Sequence, residues 1–190
     1  MDKTTIGGME LDGLFVFVKK LVDSFTKEGL DYAFTGALAA SFYGVPRTTA
    51  DVDVLVAVTP EDAEIKLASA LRQAGLEVDE KIIDDAATSS RKIASFKSKN
   101  SPYKVDVILS DRVQKRRGNI AVVDTFFQIP EDLISAKLRM IKATMQQERA
   151  VKDKEDVKAI LRFTDVDKEA IQKQAKKDKT IEIWKRLSGS

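Results

Sequence analysis

Two aspartates, Asp51 and Asp53, stand two positions apart in the apolar run TADVDVLV (49–56), and a third, Asp106, lies inside another, YKVDVIL (103–109). Alternate side chains of a strand share a face, so Asp51 and Asp53 would project together. Strands are poor hosts for aspartate, and like charges on one face repel. If the two runs are neighbouring strands, Asp106 joins the same face. Three converging carboxylates without positive neighbours are costly. Divalent cations remove that repulsion and support phosphoryl or nucleotidyl transfer. The competing reading is a solvated edge strand guarded by acids, with Asp106 paired to Lys104 on its own face. The chain has no histidine and no cysteine. That removes the usual general base, any Ser-His-Asp triad and thiolate metal sites. A metal held here would be held by oxygens, which points to magnesium or manganese.

A triphosphate needs a cradle, and Thr35-Gly36-Ala37 offers one between a strand pattern and a helix pattern. Glycine permits close backbone approach, and a helix N-terminus presents N–H donors. Arg47, just ahead of the acidic strand, carries a forked cation suited to phosphate. The alternatives are an ordinary turn glycine and a loop ion pair.

Periodicity supplies the elements around these residues. Helices are expected over 11–27, 37–43 and 60–74, the last capped by Thr59 with Pro60 at its first position. Strands are expected over 31–35 and 52–58, and shorter β-type runs over 76–83, 92–97 and 103–109, with a hairpin turn at 98–102. Residues 111–119 (DRVQKRRGN) read as a basic loop, followed by a short strand over 120–127. Helices follow over 130–145, 150–163, 168–176 and 181–187. The expected fold class is therefore α/β (α+β): a small mixed β-sheet core over residues 1–128 flanked by helices, with a C-terminal helical extension over 129–190 packed on it.

Gly36-Ala37, a spacer, and Asp51-Val52-Asp53, with a third acid on a later strand, resemble the nucleotidyltransferase superfamily of DNA polymerase beta type. More closely, FTGALAASFYGVPRTTADVDVLV resembles the AbiEii-like minimal nucleotidyltransferases, with Gly36, Ala39, Gly44, Arg47, Thr49, Asp51 and Asp53 at the matching positions. Supporting matches are Pro130-Glu131-Asp132-Leu133-Ile134 with Lys137, and Arg149-x-x-Lys152-Asp153-x-x-Asp156, so the resemblance covers about residues 30–160. It implies Asp51, Asp53 and Asp106 as metal ligands and catalytic acids. It implies Gly36, Ala37, Arg47, Thr49, Lys137, Lys152 and Asp153 near the nucleotide. Magnesium or manganese is the implied cofactor, and an NTP the donor. The acceptor in such relatives can be tRNA or a protein, and many act as the toxin of a toxin–antitoxin pair, so an antitoxin is an expected partner. Ala37 departs from the family, which usually has Ser or Gly there; it leaves only a backbone N–H for a phosphate. That departure favours the alternative of a non-catalytic nucleotide-binding or interaction module with the same fold. For Lys137 the competing reading is an ordinary lysine on an amphipathic helix, and for Lys152 and Asp153 it is surface pairing.

The chain has 190 residues, 43% apolar and 33% charged, with a net charge of +2. That is an ordinary globular composition. The charge does not mark a dedicated nucleic-acid binder, although the 112–117 segment carries a local basic run. No apolar run approaches the roughly 20 residues that span a membrane. No signal pattern opens the chain, and the expected compartment is the cytoplasm.

Overall fold

The computed structural model describes residues 5–6, 9–10, 13–45, 49–59, 63–145 and 148–189. A short ribbon pairs β1 (Thr5–Ile6) with β2 (Met9–Glu10). Helix α1 (Gly13–Lys27) follows, and its apolar stripe of Phe17, Val18, Leu21, Val22 and Phe25 is buried. Next come β3 (Asp31–Phe34), α2 (Gly36–Phe42) and β4 (Asp51–Ala57). A π-helical turn (Ala63–Leu67) runs into α3 (Ala68–Gln73), then α4 (Glu80–Thr88). Strands β5 (Ile93–Lys97), β6 (Lys104–Ser110), β7 (Lys115–Ile120) and β8 (Val123–Gln128) complete the sheet. The chain closes with α5 (Pro130–Ala143), α6 (Glu148–Phe163), α7 (Lys168–Lys177) and α8 (Ile181–Ser188).

The six strands form one mixed sheet in the order β5-β6-β4-β3-β8-β7. β4 and β6 are parallel neighbours, as are β3 and β8; the other pairs are antiparallel. The α/β architecture expected from the sequence is what the chain adopts. In β4 and β6 the valines take every second position, so Val52, Val54, Val56, Val105 and Val107 lie fully buried on one face. Asp51, Asp53, Lys104 and Asp106 are left on the other, more open face. A continuous cluster of buried apolar side chains runs from Phe17 on α1 to Trp184 on α8. Tyr43, at the end of α2, ties the tail to the sheet: its hydroxyl donates to the Gln128 carbonyl at 2.7 Å, and its own carbonyl accepts from Thr164 Oγ1 at 3.3 Å.

Two expectations fail. Residues 76–83 are not a strand. Leu76 makes only an isolated bridge to Ser98, and Asp79 caps α4 by accepting from the Lys81 N–H at 3.0 Å. Ile83 and Ala86, three apart, then form the buried face of a helix, and the β-branched run is outweighed by cap and periodicity. Residues 111–119 are not simply a loop, since Lys115–Ile120 is β7, at the edge of the sheet. Charged side chains are normal on an edge strand, so its composition reads as loop while its backbone pairs with β8. The expected helix start at Pro60 lies outside the described residues, as does Arg47.

Candidate functional site

The strand register sets the acids. Asp53 lies directly opposite Asp106 across the parallel β4–β6 pair, and Asp106 lies opposite Ser95 on β5. One rung along, Asp51 faces Lys104. Adjacent strands are about 4.8 Å apart and alternate residues along a strand about 6.6 Å, so the three acids occupy neighbouring positions on one face. Each is held differently. Asp51 is anchored through its backbone: Thr49 Oγ1 accepts from the Asp51 N–H at 3.1 Å and donates to the Asp51 carbonyl at 2.8 Å. Asp106 accepts from Ser95 Oγ at 2.7 Å. The Lys104 ammonium bridges Asp51 Oδ2 at 3.4 Å and Asp106 Oδ2 at 3.6 Å.

Among the described residues no side chain is hydrogen-bonded or ion-paired to the carboxylate of Asp53. Burial pushes its carboxyl up to about 6; the negative charge of Asp106 adds to this, Arg149 opposes it, Asp51 adds a little more, and Lys137 opposes. Burial disfavours the charged form, and the two cations do not fully offset it. Among the described residues no group of three acids stands close enough to ligate a metal as placed. The donor chemistry nonetheless suits a hard cation: every available ligand is a carboxylate oxygen, and Asp53 is short of positive charge. Asp51 and Asp106 would have to turn from Lys104 to complete such a site.

Gly36 roofs Asp53. Its φ is +57°, and a Cβ built on it would overlap Asp53 Oδ2. A side chain is therefore excluded twice, by backbone conformation and by collision with the carboxylate. The Thr35 N–H donates to the Asp53 carbonyl at 3.0 Å and locks the turn onto β4. Thr35 Oγ1 donates to Gln128 Oε1 at 2.5 Å and does not cap α2. The first-turn N–H groups of α2, Ala37 among them, thus receive no side-chain cap.

Helices α5 and α6 contribute a buried ionic cluster. Lys137 Nζ donates to Asp153 Oδ1 at 3.0 Å and to Asp156 Oδ2 at 2.6 Å, and all three residues are buried. Among the described residues Asp153 Oδ2 is buried without a hydrogen-bond donor, and Arg149 Nε stands 4.0 Å from it. Through Lys137 and Arg149 this cluster lends positive charge to Asp53.

The structure thus brings together Gly36, Ala37, Thr49, Asp51, Asp53 and Asp106, with Lys137 and Asp153 behind them. It does not bring Lys152 in: that side chain is exposed and pairs with Glu148 at 2.9 Å along α6. Sequence reasoning had the Lys104–Asp106 pair as its competing reading, and the structure forms it; it missed Ser95, the reach of Lys104 to Asp51 and the hydrogen bond to Gln128. Ser95 was nearly within reach: a hairpin centred on 98–102 sets 95 against 105, one residue from the observed pairing with Asp106, and a one-residue slip puts it on the other face. The Gln128 contact spans 93 positions and had no sequence signal.

The model of the family described as "Nucleotidyl transferase AbiEii toxin, Type IV TA system" matches residues 18–183. No curated protein sequence matches the chain. Among solved structures, an antigenic nucleotidyltransferase-like protein from Paracoccidioides brasiliensis superposes with a TM-score of 0.60 at 15% identity, covering 93% of this chain and 94% of that one. The antibiotic-resistance factor ANT(2'')-Ia superposes with a TM-score of 0.65 at 12% identity, covering 95% of this chain and 100% of that one. At these identities the likeness is one of fold.

Proposed function

The chain belongs to the AbiEii nucleotidyltransferase toxin family, and from that premise we propose that it transfers a nucleoside monophosphate from an NTP to a hydroxyl of tRNA or of a protein, with magnesium or manganese. The observation that carries this reading is the Gly36 turn closed onto Asp53, which is itself paired in register with Asp106. A hard divalent cation on Asp51, Asp53 and Asp106 would neutralise the triphosphate and acidify the attacking hydroxyl.

The chain's own residues do the positioning. The α2 N-terminus, at Gly36 and Ala37, offers backbone N–H groups to the phosphates. Arg47, whose forked cation the sequence offers for the same phosphates, lies outside the described residues. Thr49 fixes the backbone at Asp51. Lys137, held by Asp153 and Asp156, contributes positive charge beside Asp53. The acceptor oxygen bonds to the α-phosphorus as the bond to the bridging oxygen breaks. Pyrophosphate leaves, and the hydroxyl proton passes to Asp106. An antitoxin is the partner that this family implies. No described helix is long and apolar enough to cross a membrane.

Thermal unfolding tests the site. Magnesium plus a nonhydrolysable NTP is expected to raise the Tm of the wild type by several degrees. Asp51→Asn is expected to abolish that gain; an equal gain in the variant would overturn the assignment.

A further inference from the structure

Lys104 is placed where a cation belongs. Its ammonium lies 3.4 Å from Asp51 and 3.6 Å from Asp106, and its backbone sits in register with Asp51 on the strand that also carries Asp106. The lysine therefore needs no loop movement to reach either acid; the β4–β6 register delivers it. Other cations near the acids lie on other elements: Lys97 faces Lys104 across β5–β6, while Lys137 and Arg149 approach Asp53 from α5 and α6. The two acids that Lys104 bridges are those a divalent cation would need to add to Asp53. Their present geometry, with Asp106 also fixed by Ser95, leaves no three-acid cluster among the described residues.

We propose that Lys104 is a tethered counter-ion that competes with the divalent cation for Asp51 and Asp106, a positioning residue that sets how tightly the site takes its metal. The idea rests on the metal-dependent reading above. Lys104 is part-exposed, at 40%, and an ammonium on four flexible methylenes can swing to solvent or to an incoming phosphate. In the resting protein it keeps two acids compensated. When the cation enters, the ammonium is expelled, and its charge becomes available to the substrate. The site would thus take metal weakly alone and more tightly with a polyanionic substrate, which draws the displaced lysine away.

Manganese binding by the apo-protein, followed by electron paramagnetic resonance of the free ion, tests this without any turnover. Lys104 faces two acids across solvent-screened gaps of 3.4 and 3.6 Å, so its removal should matter by about tenfold. Lys104→Gln is expected to bind manganese about tenfold more tightly than the wild type, and Lys104→Arg to restore wild-type affinity. Melting in chelator checks that each variant folds. Binding by Lys104→Gln within about twofold of a wild type that does bind, or weaker than it, overturns the role of Lys104 and leaves the metal reading standing. No manganese binding by either protein overturns both. Loss of binding in Asp53→Asn separates this site from adventitious surface acids.

Discussion

Asp53 is a group whose ionisation opposes folding. Its carboxyl is pushed up to about 6 by burial and by Asp106, against an ordinary value of 3.8. Between those pH values the folded protein binds more protons at this position than the unfolded chain. Stability therefore falls as pH rises through the window from about 4 to 6, and the penalty is full above it. A tenfold loss of acidity corresponds to about 1.4 kcal/mol, and partial exposure reduces the total. In chelated buffer at pH 7.5, Asp53→Asn is expected to be about 2 kcal/mol more stable than the wild type by urea unfolding. At pH 4 the difference should nearly vanish. An Asn variant that is less stable at pH 7.5 would show that Asp53 is already compensated in the folded chain. Such a trade of stability for function is common where charges are held ready for a ligand.

At the scale of elements, the α5–α6 pair is held partly by charge. Lys137 is buried between Asp153 and Asp156, with Arg149 at 4.0 Å from Asp153 as the second cation. Removing one partner of a buried ionic group strands the others, typically at about 3–5 kcal/mol. Lys137→Met is expected to lose about that much by urea unfolding, even in chelator, where no ligand contributes. A loss under about 1 kcal/mol would mean that water reaches Asp153 and Asp156. The helices themselves were legible in the sequence: α5 carries clear amphipathic spacing with Pro130 at its first position, while the buried face of α6 mixes Val157 and Ile160 with Asp153 and Asp156. The acid-bearing strands were equally plain, because valine alternates with aspartate. β7 was not: its pairing partner, not its composition, makes it a strand. α4 was hidden because Ile82 and Ile83 look like strand residues until the Asp79 cap is recognised. Of the acid face, Asp51, Asp53 and Asp106 could be proposed from alternation alone. The Lys104–Asp106 pair could be read the same way, but the reach of Lys104 to Asp51 needed the β4–β6 register, which only the sheet order supplies.

For the molecule as a whole, the sheet order places β4 and β6 side by side near its centre, with β5 outside them and β3 carrying the Gly36 turn on the opposite flank. Acids, glycine turn and the α5–α6 charges thereby meet around Asp53, although they come from widely separated parts of the chain. The family match spans this whole assembly, residues 18–183. The proposed reaction moves a nucleotide onto an acceptor. The direct measurement is transfer of label from an α-phosphate-labelled NTP, each of the four in turn, to total RNA or protein in the presence of magnesium or manganese. The wild type is expected to label one acceptor class with at least one NTP, and Asp53→Asn to label none. No label with any NTP, or equal labelling by Asp53→Asn, would contradict it.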